Sequence, residues 1–301
     1  MSSGIPKVLW TLWLQGWEQS PALVQACLRS WQLRNPTWSV RALTAENVGT
    51  YVDLRATYPG VDLDRIPAPA LSDMIRIALL TQHGGVWADS TVFCVTPLDQ
   101  WLDRYSGTGF FAFCRPGPHR MVSSWFLASE PHHPLTTTWK DRVCRYWRGR
   151  QAPDQYYWFH HLFAEAYGED DTCRRIWDDT PKLPSNGPHY FVPYDNRLAG
   201  RMTQRARARV LSETEPVYKL CHRIHPSQPG HESAHDFFCH WADEGAWRSE
   251  DGPRPGHRPI LVVDRVGEKV RWTYRYARGE LADLLHNTAG TSRSSRAVAT
   301  P

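Results

Sequence analysis

The sequence has no long apolar stretch. No run approaches the ~18 consecutive apolar residues that a membrane-crossing helix needs, so no transmembrane segment is expected. It has little net charge: 35 Lys and Arg stand against 31 Asp and Glu, a balance of +4, which is too weak to point to a nucleic-acid partner. Met1 to Lys7 lacks the charged-then-apolar pattern of an export signal, and the expected location is cytoplasmic. Cysteine is sparse, with seven residues and no Cys-x-x-Cys pair, as suits reduced thiols rather than a disulfide framework. No period of 20 to 50 residues repeats, which excludes solenoids and propellers. Aromatics are the exception to this scarcity, at 12% with 15 Trp in 301 residues. A disordered chain would be poor in them, so the sequence should fold as one large domain or two modest ones.

The order of elements predicts an α/β protein. Ile5 to Trp13 is a short apolar, aromatic run that reads as a buried strand. Ser20 and Pro21 sit at cap and first-turn positions of a helix that carries Leu23, Ala26, Cys27 and Trp31 and ends at Asn35-Pro36. Trp38 to Leu43 is a second strand, and Thr44 could cap a helix near Glu46 to Val48. Ala70 to Gln82 is helical, Gly84-Gly85 stops it, and Val86 to Ala88 is a brief strand. Strand and helix alternate, which points to a mixed, mostly parallel sheet flanked by helices. Further strands fall at Val92 to Val95, Gly109 to Phe113 and Ser124 to Ala128. Helices fall at Pro134 to Tyr146 and Asp154 to Tyr167, and residues 180 to 200 are mostly loop. The expected division is a main domain over 1–248, a hairpin-plus-helix extension over 249–286 and a disordered tail over 287–301.

The chemistry concentrates in Leu71 to Thr91. Leu71, Met74, Ile75, Ala78 and Leu79 form an apolar stripe, and Ile77 and Leu80 carry it around the helix, so the helix should be buried. Yet it holds Asp73 and Arg76, three apart and therefore neighbours. Buried charges need partners. They either pair with each other as a structural ion pair or point into a polar pocket and bind a ligand. Just past the strand, Asp89, Ser90 and Thr91 offer only oxygen atoms, which suit hard divalent cations such as Mg²⁺ or Mn²⁺. Open α/β sheets bind ligands off the carboxyl ends of their strands.

Three blocks resemble the capsular polysaccharide synthesis proteins, a family related to glycosyltransferase family 32 and to Och1-like mannosyltransferases. They are Ile5 to Gly16 with Ser30-Trp31 and Asn35-Pro36; Ser72-Asp-Met-Ile-Arg76 through Gly84 to Thr91; and Tyr156 to Phe163 with Pro216 to Leu220. The resemblance covers roughly residues 5 to 222. It implies a GT-A fold and transfer of a sugar from a nucleotide-sugar donor to a hydroxyl acceptor on a polysaccharide, glycolipid or small molecule, with retention at the anomeric carbon. It further implies that Asp73 binds donor-sugar hydroxyls, Arg76 lies against the sugar and its phosphate, and Asp89 ligates Mn²⁺ or Mg²⁺ on the diphosphate. Trp13, ending the first strand, would stack on the base. Thr91 departs from the pattern: many relatives have a second Asp there, and Thr91 would reach the metal through its hydroxyl or a water.

Other residues bear weighing. Lys219 and His222 follow the Pro216 to Tyr218 strand, where a segment folding back over the donor could stabilise the departing diphosphate. A solvated basic patch is the alternative. Tyr156 to His161 could form a sugar-stacking wall or plain packing. Cys221, His222, His225, Cys239 and His240 depart from structural zinc spacings. Arg201, Arg205, Arg207 and Arg209 read as a solvated helix face rather than a nucleic-acid surface. Thr91 also keeps open a second function, a carbohydrate-binding pseudoenzyme of the same fold. Oligomeric state has no signature in the sequence.

Overall fold

The structure is a computed structural model and describes residues 4–118, 120–192, 197–224, 226 and 232–244. Its elements run β1 (Val8–Leu12), α1 (Ala22–Arg34), β2 (Ser39–Leu43), α2 (Leu54–Thr57), α3 (Ala68–His83), β3 (Gly85–Ala88), β4 (Val92–Cys94) and α4 (Leu98–Trp101). Then follow β5 (Phe110–Gly117), β6 (Arg120–Ser129), α5 (Pro134–Trp147), α6 (Trp158–Glu169), α7 (Asp171–Asp179), α8 (Gln204–Leu211), β7 (Val217–Lys219) and α9 (Ala234–Glu244).

The main sheet has the order β2-β1-β3-β6-β5. β2, β1 and β3 are parallel, and β6 runs antiparallel to both β3 and β5. β5 therefore points the same way as the first three strands, and the expectation of a mixed, mostly parallel sheet holds. Because side chains alternate across a strand, each strand feeds two cores. Trp10, Leu12, Trp87, Phe110, Ala112 and Leu127 face α3, α5, α6 and α7. Leu9, Val86, Ala88, Phe111, Phe113 and Phe126 face Trp31 of α1 and Trp101 of α4. A sheet covered on both faces needs strands that are apolar throughout, and β3 is buried at every position.

A turn of two glycines joins α3 to β3. Gly84 has φ +66° and Gly85 φ +92°. A Cβ on Gly85 would lie 2.4 Å from Val8 Cγ1, and one on Gly84 2.7 Å from the Ser129 carbonyl. Dihedral and space both require glycine here.

Several elements depart from expectation. Pro21, not Ser20, is the N-cap of α1, and the Ser20 hydroxyl donates to the Trp17 carbonyl at 2.7 Å. α3 starts at Ala68 because Pro69 fits a first helical turn. α6 starts at Trp158, since Asp154 is held outside it by the Tyr146 hydroxyl. α7, α9 and a second sheet pairing β4 with β7 antiparallel are additions. A third core beneath that sheet joins Leu23 and Cys27 of α1 to Phe93, Phe191, Tyr218 and, from α9, Phe238 and Trp241. The domain boundary at 248, the hairpin-plus-helix extension and the tail lie outside the described residues. Among the described residues, no helix is long and apolar enough to cross a membrane.

Candidate functional site

The parallel strands set the site. Trp10 of β1 pairs with Trp87 of β3, so both strands exit at the same edge of the sheet. Trp13 follows the first exit and Asp89 the second. Asp89 is fixed there by its amide, which donates to the Trp125 carbonyl at 2.8 Å.

One continuous network joins five of the expected residues. Arg76 Nη1 donates to Asp73 Oδ1 at 2.6 Å, and its Nη2 donates to Asp89 Oδ1 at 2.9 Å. Lys219 Nζ donates to Asp89 Oδ2 at 3.2 Å and to the Thr91 hydroxyl at 2.5 Å. The Arg76 side chain is only 5% exposed. Its guanidinium carbon lies 5.0 Å from the centre of the Trp87 ring and 5.7 Å from that of Phe159, a cation–π setting. Arg76 Nε is buried with no hydrogen-bond partner among the described residues. Of the two alternatives in the sequence, the structure shows the ion pair, and Arg76 extends it by spanning both carboxylates.

The two acids are driven apart. Burial pushes Asp73 up to about 6, against the pull of Arg76, and neighbouring Asp89 adds to the rise. Burial acts on Asp89 as well, but Lys219 and Arg76, with hydrogen bonds from Trp87 and Lys219, overcome it and hold this carboxyl below its ordinary value. Paired carboxylates with opposed shifts are common where two acids have different tasks.

Trp13 and His222 form a second group at the same edge. Their rings meet edge-on at 5.2 Å. His222 lies three residues beyond Lys219, so β7 and the segment that follows it carry one residue of each group. The aromatic wall is divided: Trp158 and Phe159 are buried packing, whereas Tyr156 is 87% exposed. Arg120 stacks on Tyr157 at 4.1 Å.

Three further residues bear on the site; His160 belongs to the Tyr156 to His161 stretch weighed in the sequence, whereas Trp87 and His189 had no clear signal there. Trp87 Nε1 donates to Asp89 Oδ1 at 3.0 Å; its spacing of two from Asp89 along an extended segment was the only hint. His160 is pushed down to about 3 by burial and by Arg120 and Arg76. His189 is lowered by burial, with Lys219 and Arg120 contributing, although its contact with the Ser185 carbonyl opposes this. Both shifts favour the uncharged imidazole.

The donor set does not suit the divalent metal that the resemblance implies on Asp89 and Thr91. Asp89 Oδ1 already accepts two N–H groups, and Oδ2 faces the Lys219 ammonium. The Thr91 hydroxyl faces that ammonium too. A carboxylate oxygen has about two acceptor positions, and Mg²⁺-type sites want one or two free carboxylates in octahedral geometry. Among the described residues, no three His, Cys, Asp or Glu side chains gather to hold a metal. Of the zinc candidates, His225 lies outside the described residues.

The chain is 27% identical to the O-glycosyltransferase braB of Annulohypoxylon truncatum over 161 residues, 48% of this chain and 38% of that protein. It is 23% identical to the O-glycosyltransferase PaGT of Phomopsis amygdali over 165 residues, 49% of this chain and 40% of that one. The chain thus spans about two fifths of the length of these relatives. Among solved structures it is similar to the PaToxG glycosyltransferase, with a TM-score of 0.40 and 14% identity, covering 58% of this chain and 72% of that one. Residues 2–238 match the family model for capsular polysaccharide synthesis protein. That stretch contains every residue of the network, from Asp73 to Lys219, and the chain belongs to the capsular polysaccharide synthesis protein family.

Proposed function

We propose that this chain is a glycosyltransferase with a GT-A-type donor site, moving a sugar from a nucleotide sugar to an acceptor hydroxyl. The observation that carries this reading is the convergence of Asp73, Arg76, Asp89 and Lys219 at the carboxyl edge of the sheet. Such a cluster offers carboxylates to sugar hydroxyls and cations to a diphosphate, in a setting partly shielded from water. The relatives named O-glycosyltransferases support the same class of reaction.

Each residue then has a task. Asp73 accepts hydrogen bonds from sugar hydroxyls. Arg76 lies against the sugar and a phosphate oxygen, and its buried Nε–H gains the acceptor it lacks. Asp89 holds Arg76 and Lys219 at fixed positions. Trp13 offers its ring to the base, and His222 braces that ring. In the transfer, the bond from the anomeric carbon to the diphosphate oxygen breaks and its electron pair stays on that oxygen. The acceptor oxygen bonds to the same carbon, and the acceptor proton leaves to the departing diphosphate. Preorganised cations lower this barrier by meeting charge where it develops.

The test is Asp89→Asn, assayed for donor hydrolysis and for transfer against a panel of nucleotide sugars. The substitution keeps the shape and removes the charge that positions both cations. Activity should fall by roughly 100-fold or more, the scale seen when one preorganised electrostatic contact is lost. Wild-type turnover in this variant would sink the reading. A second reading, binding without turnover, is favoured by Thr91 standing where many relatives have an acid. A protein that is stabilised by a nucleotide sugar yet neither hydrolyses nor transfers it would establish that reading instead.

A further inference from the structure

We propose that Lys219 is the resident cation of the donor site: its ammonium takes the place between Asp89 and Thr91 that the family resemblance gives to a divalent metal, and it holds the donor diphosphate without one. This rests on the nucleotide-sugar reading above and names how that site works.

The position is the first argument. The two side chains expected to ligate the metal are the two partners of Lys219 Nζ, Asp89 Oδ2 at 3.2 Å and Thr91 Oγ1 at 2.5 Å. A cation in that place must displace the ammonium or sit against it. The second argument is anchoring. Lys219 pairs with Val92 across the small sheet, its amide donates to the Pro188 carbonyl at 3.0 Å, and the next amide, Leu220, donates to the Thr91 carbonyl at 2.8 Å. Tyr218 and Leu220 on either side are buried in the third core. The side chain is 20% exposed, so the ammonium stands in a built position rather than on a free surface stem.

Charge gives the third argument. Asp73 and Asp89 are matched by Arg76 and Lys219, so the network is neutral as it stands when both acids are ionised. With a hydroxyl at Thr91 instead of a second carboxylate, the site holds too little negative charge for a divalent ion beside two existing cations. Beside Arg76, it balances one further positive charge. Lysine is a compact cation with three donor hydrogens. Asp89 and Thr91 take two, which leaves one to donate to a phosphate oxygen.

The experiment uses the full chain stripped with EDTA. UDP and GDP, and their monophosphates, are titrated calorimetrically first in EDTA and then in Mn²⁺. The expected result is that at least one diphosphate binds in EDTA and that Mn²⁺ changes its affinity by less than about threefold. Lys219→Met keeps the stem and removes the charge. It should weaken the diphosphate by about tenfold or more, the scale of one lost charge-assisted contact, and the monophosphate much less. Lys219→Arg should keep most of the affinity. If Lys219→Met fails to fold by circular dichroism, the wild-type comparison alone decides. Diphosphate binding that vanishes in EDTA and returns with Mn²⁺ overturns the proposal and leaves the glycosyltransferase reading standing. Absence of binding in both conditions overturns the two together.

Discussion

Asp73 and Asp89 share one arginine, yet pH acts on them in opposite directions. The folded state holds a proton on Asp73 up to about 6, whereas the unfolded chain releases it near 3.8. Between those values the folded state binds more protons, so the Asp73 contribution to stability falls as pH rises through the window and levels off above about 6. Asp89, held below its ordinary value, contributes stability that is present above that value and lost on acidification. Chemical denaturation of wild type and Asp73→Asn at pH 4.5 and 7.5 separates the two. On going to the higher pH, wild type should lose on the order of 1–3 kcal/mol relative to the variant. A difference that does not change with pH would refute the assignment. Much of this was legible in the sequence, because Asp73 and Arg76 stand three apart in a helix apolar nearly all round, and such charges must find partners. The third member, Lys219, was placed near the diphosphate, but its contact with Asp89 and Thr91 spans about 130 residues, and no local spacing encodes that.

At the scale of elements, α3 and β3 were the most legible because glycine punctuates them and the buried stripe is long. The Gly84-Gly85 turn allows a sharp check. Gly85→Ala forces a side chain into Val8 at a positive φ, whereas Gly149, also at positive φ (+73°), has nothing within 4 Å. Gly149→Ala should cost about 1 kcal/mol from backbone strain alone. Gly85→Ala should cost several times that or fail to give soluble protein, read by urea denaturation. Equal costs would mean that close approach to β1 does not govern the turn. Two missed helices carried signals of their own. Asp170 caps α7 by accepting from the amides of Thr172 and Cys173. Ser233 and Asp236 exchange hydrogen bonds across the first turn of α9, a reciprocal cap. The small sheet gave less warning: β4 and β7, three residues each, were expected as strands, but the pairing of Val92 with Lys219 joins distant parts of the chain, which no local pattern encodes.

At the scale of the whole molecule, the third core is the support of the site. Phe238 of α9 is fully buried and lies 4.9 Å from Phe93, 5.0 Å from Phe191 and 6.0 Å from Tyr218, ring to ring. Tyr218 directly precedes Lys219. Phe238→Ala should cost about 3–5 kcal/mol. Because the cavity opens behind β7, nucleotide-diphosphate affinity should fall in protein that remains folded below its melting midpoint. Unchanged affinity in a well-folded Phe238→Ala protein would separate the third core from the site.

The same arrangement bears on how the chain matures on the ribosome. Asp73, Arg76 and Asp89 emerge early, but until residue 219 has left the exit tunnel and β7 has docked beside β4, two buried acids share a lone arginine. On the proposal above, a nascent fragment ending before β7 can shape the large sheet and carry Arg76 but would lack the ammonium that Lys219 adds beside Asp89 and Thr91.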